Sequence, residues 1–361
     1  MTARRVVAFG GGHGLSASLR ALRHCAPELD LDITAVVTVG DDGGSSGRLR
    51  AERGGLPPGD LRQALVALAG DHPATRRSAG LFQHRFAAVP AGVPPLGEAD
   101  PGPAATDRRN PDPRDQDAGA TVPGAERASI RADGLAGHAV GNLVLCGLME
   151  MLGDPVAALE HAGAMLGTVG RVLPMSRQPV GIEAQVRGVD PAAPDEVRTV
   201  RGQHQVAVTT GRVESLRLTP SAPPACAEVI EAIRAADWLI FGPGSWYTSV
   251  LPHLLVPQLA DAIVSTSARR LVTLNLAAEK ETLGLSVADH LAALHWYLPE
   301  LKVDLVLADA KAVGDPEPVE RAAESLGARL VLAPVAVTGG TPRHDPAALG
   351  AALVPVLGAD R

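Results

Sequence analysis

Two short segments hold residues whose types and order suit the binding of a phosphate. Gly10, Gly11, Gly12 and Gly14 form a turn with His13, directly after the apolar run 6–9 and before the helical pattern that opens with Leu15 and Ser16. A glycine-rich strand-to-helix turn aims bare backbone N–H groups and the positive end of a helix at an anion. The turn matches neither common phosphate-loop fingerprint. Leu15 holds the third glycine position of G-x-G-x-x-G, and no Gly-Lys-Ser/Thr follows. His13 either donates to a phosphate or fills the turn. The second segment, Asp41-Asp42-Gly43-Gly44-Ser45-Ser46-Gly47-Arg48, follows the apolar run 33–39. Adjacent carboxylates repel, so the placement calls for a cation, a ribose hydroxyl or Arg48 beside them. The expectation is that Asp41 and Asp42 contact a ligand or a magnesium ion bound with it, while Ser45, Ser46 and Arg48 face an anion.

Further candidates lie downstream. Pro57-Pro58-Gly59-Asp60-Leu61-Arg62 reads as a helix start capped by Asp60, with Asp60 and Arg62 as ligand contacts. Gly141 and Asn142 sit inside an apolar helical stretch that both weaken; either a ligand approaches the backbone there or Gly141 serves packing. In Gly242-Pro243-Gly244-Ser245-Trp246-Tyr247-Thr248-Ser249, Pro243 stiffens a loop whose glycines admit a ligand, and Ser245, Thr248 and Ser249 offer hydroxyls at a helix start. With only 3 Trp and 2 Tyr in the chain, Trp246 and Tyr247 together suggest a stacking surface for a base, or else an ordinary apolar contact. Asn275 and Asp309 also follow apolar runs. Asp289-His290 reads as helix cap and surface.

The elements that would position these residues alternate in type. Strands are expected at 5–9, 33–39, 238–241, 271–274, 303–307 and 330–333, with helices at 15–24, 61–68 and 137–152, the last ended by Leu152-Gly153-Asp154-Pro155. The fold class is α/β: a doubly wound, mostly parallel, Rossmann-like sheet of about six strands, with ligand groups at the carboxyl ends of four or five of them. Alternation over 206–218, broken at Thr210-Gly211, suggests a small antiparallel hairpin on the edge of that sheet.

The chain has 361 residues, 46% hydrophobic and 20% charged, with a net charge of −7. That is enough for one domain with a substantial core, and the acidic balance argues against nucleic acid as a partner. The apolar stretch near the N-terminus is too short for a membrane span or a signal-peptide core, so a cytoplasmic location is expected. Cys25, Cys146 and Cys226 show no metal or disulfide spacing and read as thiols. Residues 87–133 are rich in Pro, Ala and Gly without apolar periodicity, the pattern of a disordered insertion within a single domain spanning 1–361.

Segments 9–15, 38–50, 57–62, 81–86 joined to 137–143, and 242–251 together resemble the bacterial gluconeogenesis factor family, often called YvcK-like. That family is related to the CofD-like 2-phospho-L-lactate transferases of coenzyme F420 synthesis. The resemblance covers nearly the whole chain outside 87–133, and Asp41 to Arg50 is its most specific part. It implies a cytoplasmic protein that binds UDP-sugars such as UDP-N-acetylglucosamine and is needed for normal cell shape and wall synthesis on gluconeogenic carbon. A protein partner in cell-wall regulation and a homo-oligomer are left open. By similarity, Gly10 to Gly14, Asn142, and Gly242 to Thr248 would hold the nucleotide. In the transferase relatives, the segment matching Asp41 and Asp42 lies beside a deazaflavin acceptor, with a metal assisting. Two departures stand out: His13 replaces a usual threonine, and 275–282 is altered and one residue shorter.

Three functions fit these residues. One is a nucleotide-sugar-binding regulatory protein. The second is a magnesium-dependent phosphoryl-group transferase, for which paired aspartates would hold metal or acceptor. The third, a dinucleotide oxidoreductase, is weakened by the failed fingerprint and by an acidic residue about ten positions beyond the usual ~20-residue spacing.

Overall fold

Val6, Val7, Ala8 and Phe9 are all buried, apolar on both faces, as a central strand of a covered parallel sheet must be. A computed structural model describes residues 3–88, 134–282 and 284–359. The chain divides into two compact units, 1–84 with 139–361, and 85–138. In the larger unit β1 (Arg4–Gly10) leads to α1 (Gly12–Leu29), β2 (Leu31–Val37), α2 (Gly44–Arg53), α3 (Pro58–Leu68), α4 (Pro73–Gln83), α5 (Val140–Leu152) and α6 (Pro155–Leu166). Next come β3 (Arg171–Pro174), β4 (Gly181–Arg187), β5 (Val197–Arg201), α7 (Gln203–Val208), β6 (Arg212–Thr219), α8 (Ala227–Ala235) and β7 (Trp238–Phe241). A π-helical turn (Trp246–Val250) runs into α9 (Leu251–Leu254), followed by α10 (Pro257–Ser265) and β8 (Arg269–Thr273). Then follow α11 (Val287–Tyr297), β9 (Leu305–Asp309), α12 (Ala310–Val313), α13 (Glu317–Ser325), β10 (Arg329–Ala333) and α14 (Pro346–Gly358).

Seven strands form one sheet in the order β10-β9-β8-β7-β1-β2-β3, and all its pairings are parallel. The chain thus starts in the middle, winds to one edge, and returns to wind to the other. Right-handed crossovers in opposite directions place α1 and α10 on opposite faces. Val6 pairs with Ile33 on one side and Trp238 on the other, and the Phe9 ring stacks on Phe241 at 4.8 Å. The seventh strand, β3, was not anticipated. It is four residues long and ends on a proline, too short to show a period.

The expected hairpin is corrected. The antiparallel element is a separate three-stranded sheet, β5-β4-β6, and residues 203–208 are helical. Val206 is buried and Val208 exposed, opposite facing of i and i+2 that a helix gives and a strand does not, and Thr210-Gly211 connects α7 to β6. The helix 137–152 begins at Val140. It ends as expected: Gly153 takes the left-handed conformation, and Asp154 Oδ1 accepts the Val156 N–H at 3.1 Å to start α6. The smaller unit is described at 85–88 and 134–138, where Gly137 N–H donates to Phe86 O at 2.8 Å. The remainder of the expected insertion, 89–133, lies outside the described residues.

Candidate functional site

The carboxyl ends of β1, β2 and β7 meet at the middle of the sheet, where the winding direction reverses and ligands of such folds bind. Gly10 closes β1, Gly11 precedes the first residue of α1, and Gly12 adopts φ 54°, a left-handed conformation that favours glycine. Gly11 lies in a polar nest: a Cβ there would stand 2.5 Å from Asp60 Oδ2, 2.6 Å from Thr38 Oγ1 and 3.2 Å from Ser249 Oγ. Gly14 lets the loop after β7 approach, for its Cβ would stand 2.2 Å from Pro243 O. The two glycine-rich loops recognised in the sequence are therefore in direct backbone contact. His13 is exposed on the first turn of α1. Leu15, which the sequence grouped with the glycine turn as a ligand contact, is a core residue; its side chain is buried and its N–H donates to Gly11 O at 3.2 Å.

Asp60 does not cap its own helix, which starts after Pro57. Its carboxyl instead crosses to the glycine turn, bonding to Thr38 Oγ1 at 3.4 Å and to the Gly12 backbone. Burial, reinforced by the charge of Asp41, pushes Asp60 up to about 7. Asp41 Oδ1 also accepts the Gly43 N–H at 2.9 Å. Asp42 turns away: its Oδ1 accepts the His204 N–H at 2.9 Å. The carboxylates that share the site are thus Asp41 and Asp60, not the sequence neighbours Asp41 and Asp42. Among the described residues, no three His, Cys, Asp or Glu side chains converge to hold a metal ion.

Behind the aspartates runs a buried polar chain. Arg62 Nε donates to Asn142 Oδ1 at 2.8 Å, Asn142 Nδ2 donates to Ser45 Oγ at 2.9 Å, and Arg62 also bonds Gln83. Asn142, Arg62 and Ser45, each read from the sequence as a ligand contact, are joined in this one chain at the start of α2. Ser46 is buried against Gly59, and Arg48 is exposed on α2. Gly141 serves packing: a Cβ there would meet Phe82 at 2.7 Å and the Arg62 stem at 2.8 Å.

On the other flank Gly242, at φ 75°, accepts the Ser18 hydroxyl at its carbonyl oxygen at 2.8 Å. Asn275 grips Gly244 by both backbone groups, at 2.9 Å each. Ser245 Oγ donates to Glu279 Oε2 at 2.5 Å, and the Tyr247 N–H donates to Glu281 Oε1 at 2.9 Å. Burial, with Glu279 nearby, raises Glu281 to about 7. The altered segment 275–282 therefore shapes the loop of Gly242–Thr248 from behind. Trp246 is fully buried against His290 and is no stacking surface; Tyr247 and Thr248 are buried too. His290 is likewise core, whereas Asp289 joins Ser286 in a capping box. Asp309 is structural, accepting from Lys311, Ala312, Val335 and Ala336 N–H groups at 2.9–3.1 Å. Sequence reasoning had not singled out Thr38, although it ends the apolar run that β2 occupies.

The family model described as 2-phospho-L-lactate transferase CofD matches residues 6–331. The "Putative gluconeogenesis factor" of Mycobacterium tuberculosis is 45% identical over 359 residues, 98% of this chain and 91% of that protein. The gluconeogenesis factor of Bacillus subtilis is 32% identical over 328 residues, 91% of this chain and 84% of that one. A crystal structure of a UPF0052 family protein from Bacillus halodurans shares the fold with a TM-score of 0.74 at 30% identity, covering 98% of this chain and 99% of that one. No helix among the described residues is long and apolar enough to cross a membrane. Matched by that family model over most of its length and by gluconeogenesis factors over nearly all of it, the chain belongs to the CofD family, on its gluconeogenesis factor branch.

Proposed function

We propose that this protein binds a nucleotide diphosphate, most simply a UDP-sugar such as UDP-N-acetylglucosamine, and acts through it in cell shape and wall synthesis on gluconeogenic carbon. The observation that carries the reading is the strand-to-helix turn of Gly10–Gly14 at the carboxyl edge of the sheet, where Gly12 at φ 54° opens α1 and Thr38, Asp60 and Ser249 pack behind Gly11. A diphosphate laid over that first turn of α1 meets helix amides beside a close-packed second glycine loop. Titration calorimetry with UDP-N-acetylglucosamine, against GDP and NAD and with and without magnesium, tests it. Saturable preference for the UDP-sugar supports the reading; equal indifference to all three overturns it.

Asp41 and Asp60 favour a second reading, a magnesium-dependent phosphoryl-group transferase. Two near carboxylates, one buried and one part-exposed, suit a magnesium ion that takes its remaining ligands from phosphates and water. The ion would neutralise charge on the transferring group. Asp60 and Asp41 would hold it, with Thr38 and Gly12 fixing the Asp60 carboxyl in place. Preference for GDP with magnesium would move the weight to this reading.

A further inference from the structure

The antiparallel sheet takes no part in the nest at Gly11, yet it delivers α7 to the rim of the site. β5 turns through Gly202, at φ 95°, into α7. Asp42 lies against that turn: besides the His204 N–H on Oδ1, a Cβ on Gly202 would stand 2.1 Å from Asp42 Oδ2. One carboxylate thereby ties the loop after β2 to the antiparallel sheet. The neighbouring side chains then meet that loop from above. A Cβ on Gly43 would lie 3.4 Å from His204 Cβ and Nδ1, and one on Gly40 would lie 3.6 Å from Gln203 Oε1. The Gln203 oxygen is buried and accepts no hydrogen bond from the described residues, a costly state for an amide. His204 is exposed.

On the opposite flank Asn275 and Glu279 are engaged with Gly244 and Ser245, and Glu281 Oε1 with the Tyr247 N–H, while Glu281 Oε2 and Trp246 Nε1 are buried without a partner among the described residues. A ligand whose diphosphate lies at the first turn of α1 finds on the β2 side the unused Gln203 oxygen beside the exposed His204. We propose that Gln203 and His204 are specificity-determining residues that read the group carried on the distal phosphate of a nucleotide diphosphate, a polar, hydroxyl-bearing sugar. The buried Gln203 oxygen accepts from a sugar hydroxyl or acylamino N–H, and the imidazole of His204 covers the outer side. This deepens the nucleotide-sugar reading and rests on it.

Calorimetry of the full chain with UDP and with UDP-N-acetylglucosamine separates the two. His204→Ala, at an exposed position, and Gln203→Met, which keeps volume while removing the amide, should each weaken UDP-N-acetylglucosamine about fivefold to tenfold and shift UDP by less than about twofold. Equal losses for both ligands, or no loss for the sugar nucleotide, overturn the inference while leaving the nucleotide site standing. Wild-type protein that binds neither ligand refutes the nucleotide-sugar reading itself, and this inference with it, before any variant is made.

Discussion

Gly14→Ala and Gly147→Ala make the same chemical change inside two helices, α1 and α5, and neither glycine has a positive φ. Helix propensity alone would stabilise both by about 1 kcal/mol, partly by restricting the unfolded chain. At Gly147, exposed, the new methyl meets nothing within 4 Å, and that gain is realised. At Gly14 the methyl would stand 2.2 Å from Pro243 O, 2.5 Å from Gly244 Cα and 2.7 Å from Pro243 C, against the ordinary contact distance of about 3.5 Å. These are backbone atoms, and their loop is pinned on both sides, by Ser18 at Gly242 and by Asn275 at Gly244. Overpacking of this kind costs about 1–3 kcal/mol, here toward the upper end. Gly14→Ala is therefore expected to lose about 1–2 kcal/mol net, and Gly147→Ala to gain about 0.5–1 kcal/mol. Urea unfolding at matched m-values measures both. A Gly14→Ala chain as stable as Gly147→Ala would refute the close approach of the two glycine loops, and with it the geometry of the site.

Asp60 and Asp309 predict opposite responses to pH. Asp60 rises to about 7 on folding, so between its unfolded value of about 4 and that point the folded state keeps a proton the unfolded chain has lost. Stability present below that window is lost as pH rises through it; Asp60→Asn should flatten this slope in metal-free urea titrations, Glu281 retaining its own share. An unchanged slope would argue that Asp60 is ionised throughout. For Asp309 burial works to raise the carboxyl, but its four backbone donors win and hold it below the ordinary range. Its contribution is thus present above about pH 4 and lost on acidification, and Asp309→Asn should cost about 1–3 kcal/mol at pH 7 while flattening the acid limb. Asn142→Ala removes the oxygen that buried Arg62 Nε donates to, and a loss of about 2–3 kcal/mol is expected by the same unfolding assay; wild-type stability in this variant would show that the polar chain adds nothing.

Part of the site was legible because glycines clustered at the end of an apolar run mark a turn where backbone can come close, which a lone glycine such as Gly147 does not. Gly10 to Gly14 and Gly242 to Gly244 announced two loops, and the long apolar runs placed the strands before them. Direction was not legible. Asp60 looked like a cap because a cap and an inward-turned carboxyl share the same position near a helix start, and only Thr38, from another strand, tells them apart. Asp41 and Asp42 looked like a pair because adjacency in sequence says nothing of where each side chain points; Asp42 is claimed by α7, 162 residues on. Trp246 could not be assigned to surface or core without the helix carrying His290. Residues 171–174 and 203–208 are too short for any period to distinguish strand from helix.

The strand order also bears on how the chain is made. β1 is paired with β2 early, but its other edge waits for Trp238, so an apolar strand stands open from Gly10 until β7 emerges. At translation rates of about 5–20 residues per second, that interval is roughly 10–50 s. During it Val6–Phe9 is an exposed template for pairing with another nascent chain. Ligand can offer no protection then, for the second glycine loop is synthesised after the strand that closes the gap. Chaperone dependence and yield at high expression should therefore track the first 240 or so residues rather than the completed fold.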